Sequence, residues 1–96
     1  MVKLISISPS KIKGKKYTAV FQVGDKTKKT HFGASGYTDF IKSGGDDKRK
    51  KAYLARHKKN ENWDHYMTAG SLSRWILWNL PTLKASIAHF KKRFKL

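Results

Sequence analysis

Seven cations fall within twelve residues: Lys48, Arg49, Lys50, Lys51, Arg56, Lys58 and Lys59, with His57 among them. Lys and Arg at that density suit one kind of chemistry, the neutralisation of phosphate oxygens along a nucleic acid backbone. A solvated helix face can look similar, but acids then usually interleave with the bases. Here no acid stands between Asp47 and Glu61, so phosphate contact is the better account. Three further clusters follow the same pattern. Lys91, Lys92, Arg93 and Lys95 stand in the last segment, Lys11, Lys13, Lys15 and Lys16 near the start, and Lys26, Lys28 and Lys29 between them. If these converge they make one binding track. If they spread, they suit a particle component embedded among acidic or nucleic partners.

Aromatic side chains stand beside the cations. Tyr53, one turn before Arg56 and His57, either completes a phosphate-and-base contact unit with them or anchors its helix in the core. Arg74 precedes Trp75, with Trp78 three residues on. Arg beside Trp is either structural stacking or a nucleic-acid platform. Trp75 fits an apolar stripe with Leu72 and Ile76. Trp78 lies off that stripe, which makes it the candidate for an exposed stacking surface, unless it packs against a sheet. The expected nucleic-acid-binding set is therefore the basic run Lys48–Lys59, with Arg74, Trp78, Lys91, Lys92 and Arg93.

Catalysis has less to work with. Of the six acids, Asp25 falls in a turn, and Asp46 and Asp47 at a helix start. Asp39, Glu61 and Asp64 remain, with His65 nearby. A magnesium-dependent nuclease needs carboxylates converging on the metal, and His57, Asn60, Asn62 and His65 faintly echo a His-Asn-His nuclease core. The ββα-metal arrangement is not evident around them. The remaining acids are natural ion-pair partners for Arg56, Arg74 or Arg49. Four scattered His without Cys lack the spacing of a structural zinc site. Gly33-Ala34-Ser35-Gly36 lacks the Lys-Ser/Thr of a phosphate-binding loop. No cofactor, metal or small-molecule substrate is implied.

These groups must be carried by a folded body. The chain has 96 residues and a formal net charge of +16, with 22 Lys and Arg against six Asp and Glu. Its length fits a single domain, residues 1–96. Aromatics at 12% are too many for a disordered basic tail. The absence of Cys excludes disulfides and thiolate metal sites. No apolar run approaches the roughly 20 residues of a membrane span. The apolar start at Met1–Ile7 is too short for a secretory signal. The expected setting is cytosol, nucleus or an assembling particle.

Alternation of Tyr17, Ala19, Phe21 and Val23 with Thr18, Val20 and Gln22 predicts a half-buried strand. The turn signal Gly24-Asp25-Lys26 then returns the chain through Thr27–Phe32 as a hairpin. Leu4, Ile5 and Ile7 can add a third strand before Pro9. Asp46 caps a helix predicted from Lys48 to about Lys59, whose narrow apolar strip would centre on Ala52, Tyr53 and Ala55. Thr68 caps a second helix, Ala69 to Trp78. Pro81 or Thr82 opens a third, to about Lys95, with the stripe Leu83, Ile87, Phe90 and Phe94. The expected class is α+β: a small antiparallel sheet of two or three N-terminal strands packed with two or three C-terminal helices.

Several runs carry a family resemblance. They are Phe32-Gly33 through Gly36-Tyr37-Thr38-Asp39-Phe40, Tyr53-Leu54-Ala55-Arg56-His57, Glu61-Asn62-Trp63, Met67-Thr68-Ala69-Gly70 through Arg74-Trp75-Ile76-Leu77-Trp78-Asn79, and Phe90 with Arg93-Phe94. Together, over roughly residues 15 to 96, they resemble a small basic domain family recurring in large double-stranded DNA viruses of algae and amoebae. The resemblance brings no catalytic residues. It implies a viral origin, and so a partner in the genome or the inner capsid layer. The leading expectation is a non-enzymatic, virion- or genome-associated protein that binds nucleic acid, DNA ahead of RNA, with little sequence specificity. A minor capsid protein cementing larger subunits is the alternative, and a magnesium-dependent nuclease the second.

Overall fold

Alternating apolar residues in the first third build three antiparallel strands, β1 (Val2–Pro9), β2 (Lys15–Val23) and β3 (Lys26–Ala34), in the order β1-β2-β3. The computed structural model describes residues 2–59 and 61–96. Met1 and Asn60, the latter part of the His-Asn echo, lie outside the described residues. In β2, Tyr17, Ala19 and Phe21 share the inner face with Phe32 and Thr30 of β3. Leu4 and Ile7 of β1 stand three residues apart, and strict alternation would place them on opposite faces. A bulge between Leu4 and Ser6 resets the register, so Leu4 pairs with Phe21 and Ile7 with Ala19 on one face. Ile5 is left exposed. Gly24, at φ +64, opens the two-residue turn between β2 and β3, where positive φ matches the twist of the strands.

Helix α1 (Asp47–His57) begins where expected: the Asp46 carboxylate accepts from the Lys48 and Arg49 N–H groups at 3.1 and 3.3 Å. It ends two residues before the expected Lys59, with Lys58 as its C-cap. The chain turns there because Glu61 and Trp63 are drawn back against the body, the Trp63 carbonyl accepting from the Trp75 indole at 2.9 Å. The buried strip also differs from expectation. Ala52 and Ala55 are exposed, and Lys50, Tyr53, Leu54 and His57 face inward. Alanines are too small to choose the buried face; the larger side chains at i, i+3, i+4 and i+7 do so.

Thr68 caps α2 (Ala69–Leu72), accepting from the Ser71 N–H at 3.2 Å. The helix then widens into a π-helical turn, Ser73–Leu77, closed by the Trp78 N–H on the Ser73 carbonyl at 3.1 Å. An amphipathic period of 3.6 fails in this segment, since Trp75, Ile76, Leu77, Trp78 and Asn79 are buried one after another. Trp78 is therefore not an exposed stacking surface. β3, α3 and Tyr53 of α1 pack on different sides of the turn, so Trp75 to Asn79 are all covered. Helix α3 (Leu83–Phe94) is capped by Thr82. Its stripe follows the predicted spacing, with Phe90 fully buried and Leu83, Ile87 and Phe94 packed beside it. The architecture is α+β: the sheet's inner face packs on α2 and its π-helical turn, and that turn packs on α3. Among the described residues no helix is long and apolar enough to cross a membrane.

Helix C-termini leave carbonyls without intrahelical partners. Here the Leu77, Trp78 and Asn79 carbonyls accept from the Phe40 N–H at 3.0 Å, Arg74 Nη1 at 3.1 Å and Lys50 Nζ at 2.7 Å. β3 meets this turn at Gly33, whose φ is +80. A Cβ there would stand 2.8 Å from Leu77 Cδ1 and 3.1 Å from Lys16 Cβ. Gly33→Ala is expected to cost more than about 1 kcal/mol through left-handed strain and the clash together. It should appear as a lower urea midpoint with unchanged slope; a midpoint equal to the parent's would contradict this close approach.

Candidate functional site

On α1, Arg49, Ala52, Tyr53 and Arg56 recur at i, i+3, i+4 and i+7, so they share one helix face. That face forms a wall of a cleft of about 710 Å³. Lys15 and Lys16 of β2, the loop residues Tyr37 and Asp39, and α2 with its π-helical turn close the other sides. Gly33 and Gly70 stand in its lining and offer backbone where side chains would fill the space.

The two cleft carboxylates are already engaged. Asp39, nearly buried, accepts from Lys16 Nζ at 2.5 Å and from the Lys42 N–H at 2.7 Å. Glu61 Oε2 lies 3.4 Å from His57 Nδ1 and accepts from the Trp63 indole at 3.2 Å. A Cβ on Gly70 would lie 2.6 Å from Glu61 Oε1, so glycine makes room for that carboxylate. Asp64 approaches Arg93 at 3.8 Å, with both side chains exposed. The expected pairing of these acids with Arg56, Arg74 or Arg49 is thus replaced by Lys16, His57 and Arg93. Arg49 instead contacts its own helix cap, Asp46, at 3.3 Å. The pairs follow proximity across elements, and aromatic faces occupy Arg74. Among the described residues no three His, Asp or Glu side chains gather as ligands of one metal ion, and Asp64 and His65 do not line the cleft.

Three rings stack beneath the α1 wall. Tyr53 lies between His57, at 4.2 Å between centroids, and Trp78, at 4.5 Å with an 8° interplanar angle. Tyr53 thus anchors its helix in the core. Burial pushes the Tyr53 hydroxyl up to about 12, reinforced by Glu61 and opposed by Arg74 and Arg56. Lys50 is held below its ordinary value by burial and then by Arg74, with Asp47 opposing. Arg74 is lowered by burial and then by Arg93, with Tyr53 opposing. The Arg74 guanidinium carbon stands 4.3 Å from the Trp75 ring centre and 5.4 Å from that of Trp63. Arg93 stands 4.2 Å from the Trp75 ring centre.

The expected binding residues therefore divide. Arg49, Arg56, His57 and Trp78 share the cleft. Lys48, Lys51, Lys58 and Lys59 are exposed outside its lining, as are Lys91 and Lys92 on α3. Lys50 and Arg74 are turned to backbone carbonyls, and Arg93 covers Trp75. The structure adds Lys15, Lys16 and Tyr37. An aromatic directly after a Gly-Ala-Ser-Gly loop is the sequence signal for Tyr37; its 71% exposure beside basic side chains is visible only in the fold.

Residues 5–57, more than half of the chain, match a family of unknown function (DUF5754). The chain belongs to this family. The DUF5754 match holds most of the sheet and all of α1, and so Lys15, Lys16, Tyr37, Arg49 and Arg56 of the cleft. Trp78 and the rest of the α2 wall lie beyond it. No curated protein and no solved structure matches the chain.

Because the folded Tyr53 hydroxyl holds its proton above the ordinary value of 10.0, its stabilising contribution is complete below that pH. It is lost as pH rises through about 12. The stability difference between the parent and Tyr53→Phe should therefore shift against the parent over that window, read from urea midpoints at stepped pH. A difference independent of pH would show that the hydroxyl titrates as in the unfolded chain.

Proposed function

We propose that the protein binds nucleic acid, DNA ahead of RNA, through phosphate contacts with little sequence specificity and without catalysing a reaction on it. The observation that supports this most is the unpaired charge on α1 and just past its C-terminal end. Lys48, Lys51, Lys58 and Lys59 are exposed, and among the described residues no carboxylate pairs with them. Lys91 and Lys92 on α3 are in the same condition. At a net charge of +16, such uncompensated cations repel one another in the folded state, and a polyanion relieves that repulsion. Lys is a compact point charge on a flexible stem, which suits phosphate contact and carries little base information. The resemblance of the chain to a domain of large DNA viruses makes a viral genome the natural polyanion.

Binding of this kind weakens with salt, because each neutralised phosphate releases a counterion. Affinity for a random-sequence duplex, followed by fluorescence anisotropy, should fall linearly on logarithmic axes as salt rises. The double reversal Lys51→Glu and Lys58→Glu should weaken binding equally across sequences and flatten the slope by about one for each contact removed. Both positions are exposed, so the fold should survive, which far-UV circular dichroism checks. Affinity indifferent to salt would end the proposal.

A further inference from the structure

We propose that the cleft holds an unpaired stretch of a single nucleic acid strand, one base lying against Tyr37 and its phosphates on Lys15, Arg49 and Arg56. This rests on the nucleic-acid reading above and specifies its ligand further. Four observations point the same way. Tyr37 is 71% exposed at the cleft lip. Its ring stacks on no other aromatic among the described residues, whereas Tyr53 and Trp78 already stack on each other. A large exposed ring beside cations is the arrangement on which single-stranded bases stack.

The charge balance agrees. Four Lys and Arg line the cleft against two carboxylates, and both carboxylates are engaged, Asp39 by Lys16 and Glu61 by His57 and Trp63. Lys15 and Arg56 have no carboxylate partner among the described residues, and the Arg49–Asp46 contact is solvent-exposed and weak enough to exchange for a phosphate. Size agrees as well. About 710 Å³ falls within the range of small-ligand sites and admits a single nucleotide unit. A duplex keeps its base faces inside its own stack and can offer such a cleft phosphates and groove edges but no ring to stack on Tyr37.

Finally, the cleft continues. A second hollow of about 510 Å³ shares Lys15, Lys16, Asp39 and Leu77 with the first and carries Lys42 and Tyr17 in its lining. The two together make a track past the Lys15–Lys16 pair. That is room for the neighbouring units of a strand, where a free nucleotide would need only the first hollow.

The test compares three ligands by anisotropy or competition at one fixed low salt concentration: a short labelled dT oligonucleotide, the matching dA·dT duplex, and free thymidine monophosphate. Tyr37→Ala should weaken oligonucleotide binding by about tenfold and leave duplex affinity within about twofold. Tyr37→Phe should retain binding, because it keeps the ring. Arg56→Ala should lower the single-strand salt slope by about 0.7. Tyr37 is exposed, so an unchanged urea midpoint is expected for its variants. An unchanged oligonucleotide affinity in Tyr37→Ala, or an equal loss for single strand and duplex, overturns the cleft assignment while the phosphate-binding reading stands. Thymidine monophosphate binding as tightly as the oligonucleotide overturns the strand track. Failure of both single strand and duplex to bind at low salt removes the nucleic-acid reading itself.

Discussion

Three consecutive carbonyls at the end of the π-helical turn organise this molecule. Leu77, Trp78 and Asn79 turn their oxygens outward from the helix end and take a backbone N–H from Phe40, a guanidinium from Arg74 and an ammonium from Lys50. Helix C-termini carry partial negative charge, so two cations at this place meet both the hydrogen-bond demand and the dipole. The consequence reaches α1. That helix has few apolar side chains, and it is fastened to the body by Lys50 on Asn79 and by Tyr53 on Trp78. With Leu54 packed beside them on the core, these two attachments hold so basic a helix against a basic domain.

Aromatic rings do much of the work that acids do elsewhere. With six carboxylates for 22 Lys and Arg, most cations cannot be paired. Trp75 receives guanidiniums from both Arg74 and Arg93, and the Phe40 ring lies 4.9 Å from Lys50 Nζ. The ring quadrupole offers attraction to a cation without the desolvation cost of a buried carboxylate. Lys16–Asp39 is the exception, an ion pair with both side chains nearly buried. Removing one partner would strand the other, so the pair ties β2 to the loop before α1 more than it adds net stability.

Charge on α1 and just past its end is sorted by this arrangement into three directions. Lys50 points to the helix-end carbonyls, Arg49 and Arg56 to the cleft, and Lys48, Lys51, Lys58 and Lys59 to solvent. One helix therefore offers two kinds of cationic surface. The outer one suits a phosphate rail. The inner one is bounded by Tyr37 and by engaged acids, and it is shaped.

Local chemistry made much of this fold legible. Asp46, Thr68 and Thr82 cap helices because a short acceptor side chain before an apolar run has one favourable use. The hairpin around Gly24-Asp25 and the stripe Leu83–Phe94 follow from periods of two and 3.6 within a few residues. The cleft residues were legible as types and only partly as positions. What the amino-acid order determined by itself was the α+β succession of elements, the excess of positive charge and the density of bases along α1. Tertiary structure alone decided the β1 bulge, the burial of Trp78, the partners of Asp39 and Glu61, and the meeting of Lys15, Tyr37, Arg49 and Arg56 around one cleft. The reason is physical: caps, turns and stripes are settled by neighbours along the chain, whereas a π-helical turn enclosed on several sides and ion pairs between elements depend on surfaces that exist only once the elements have packed.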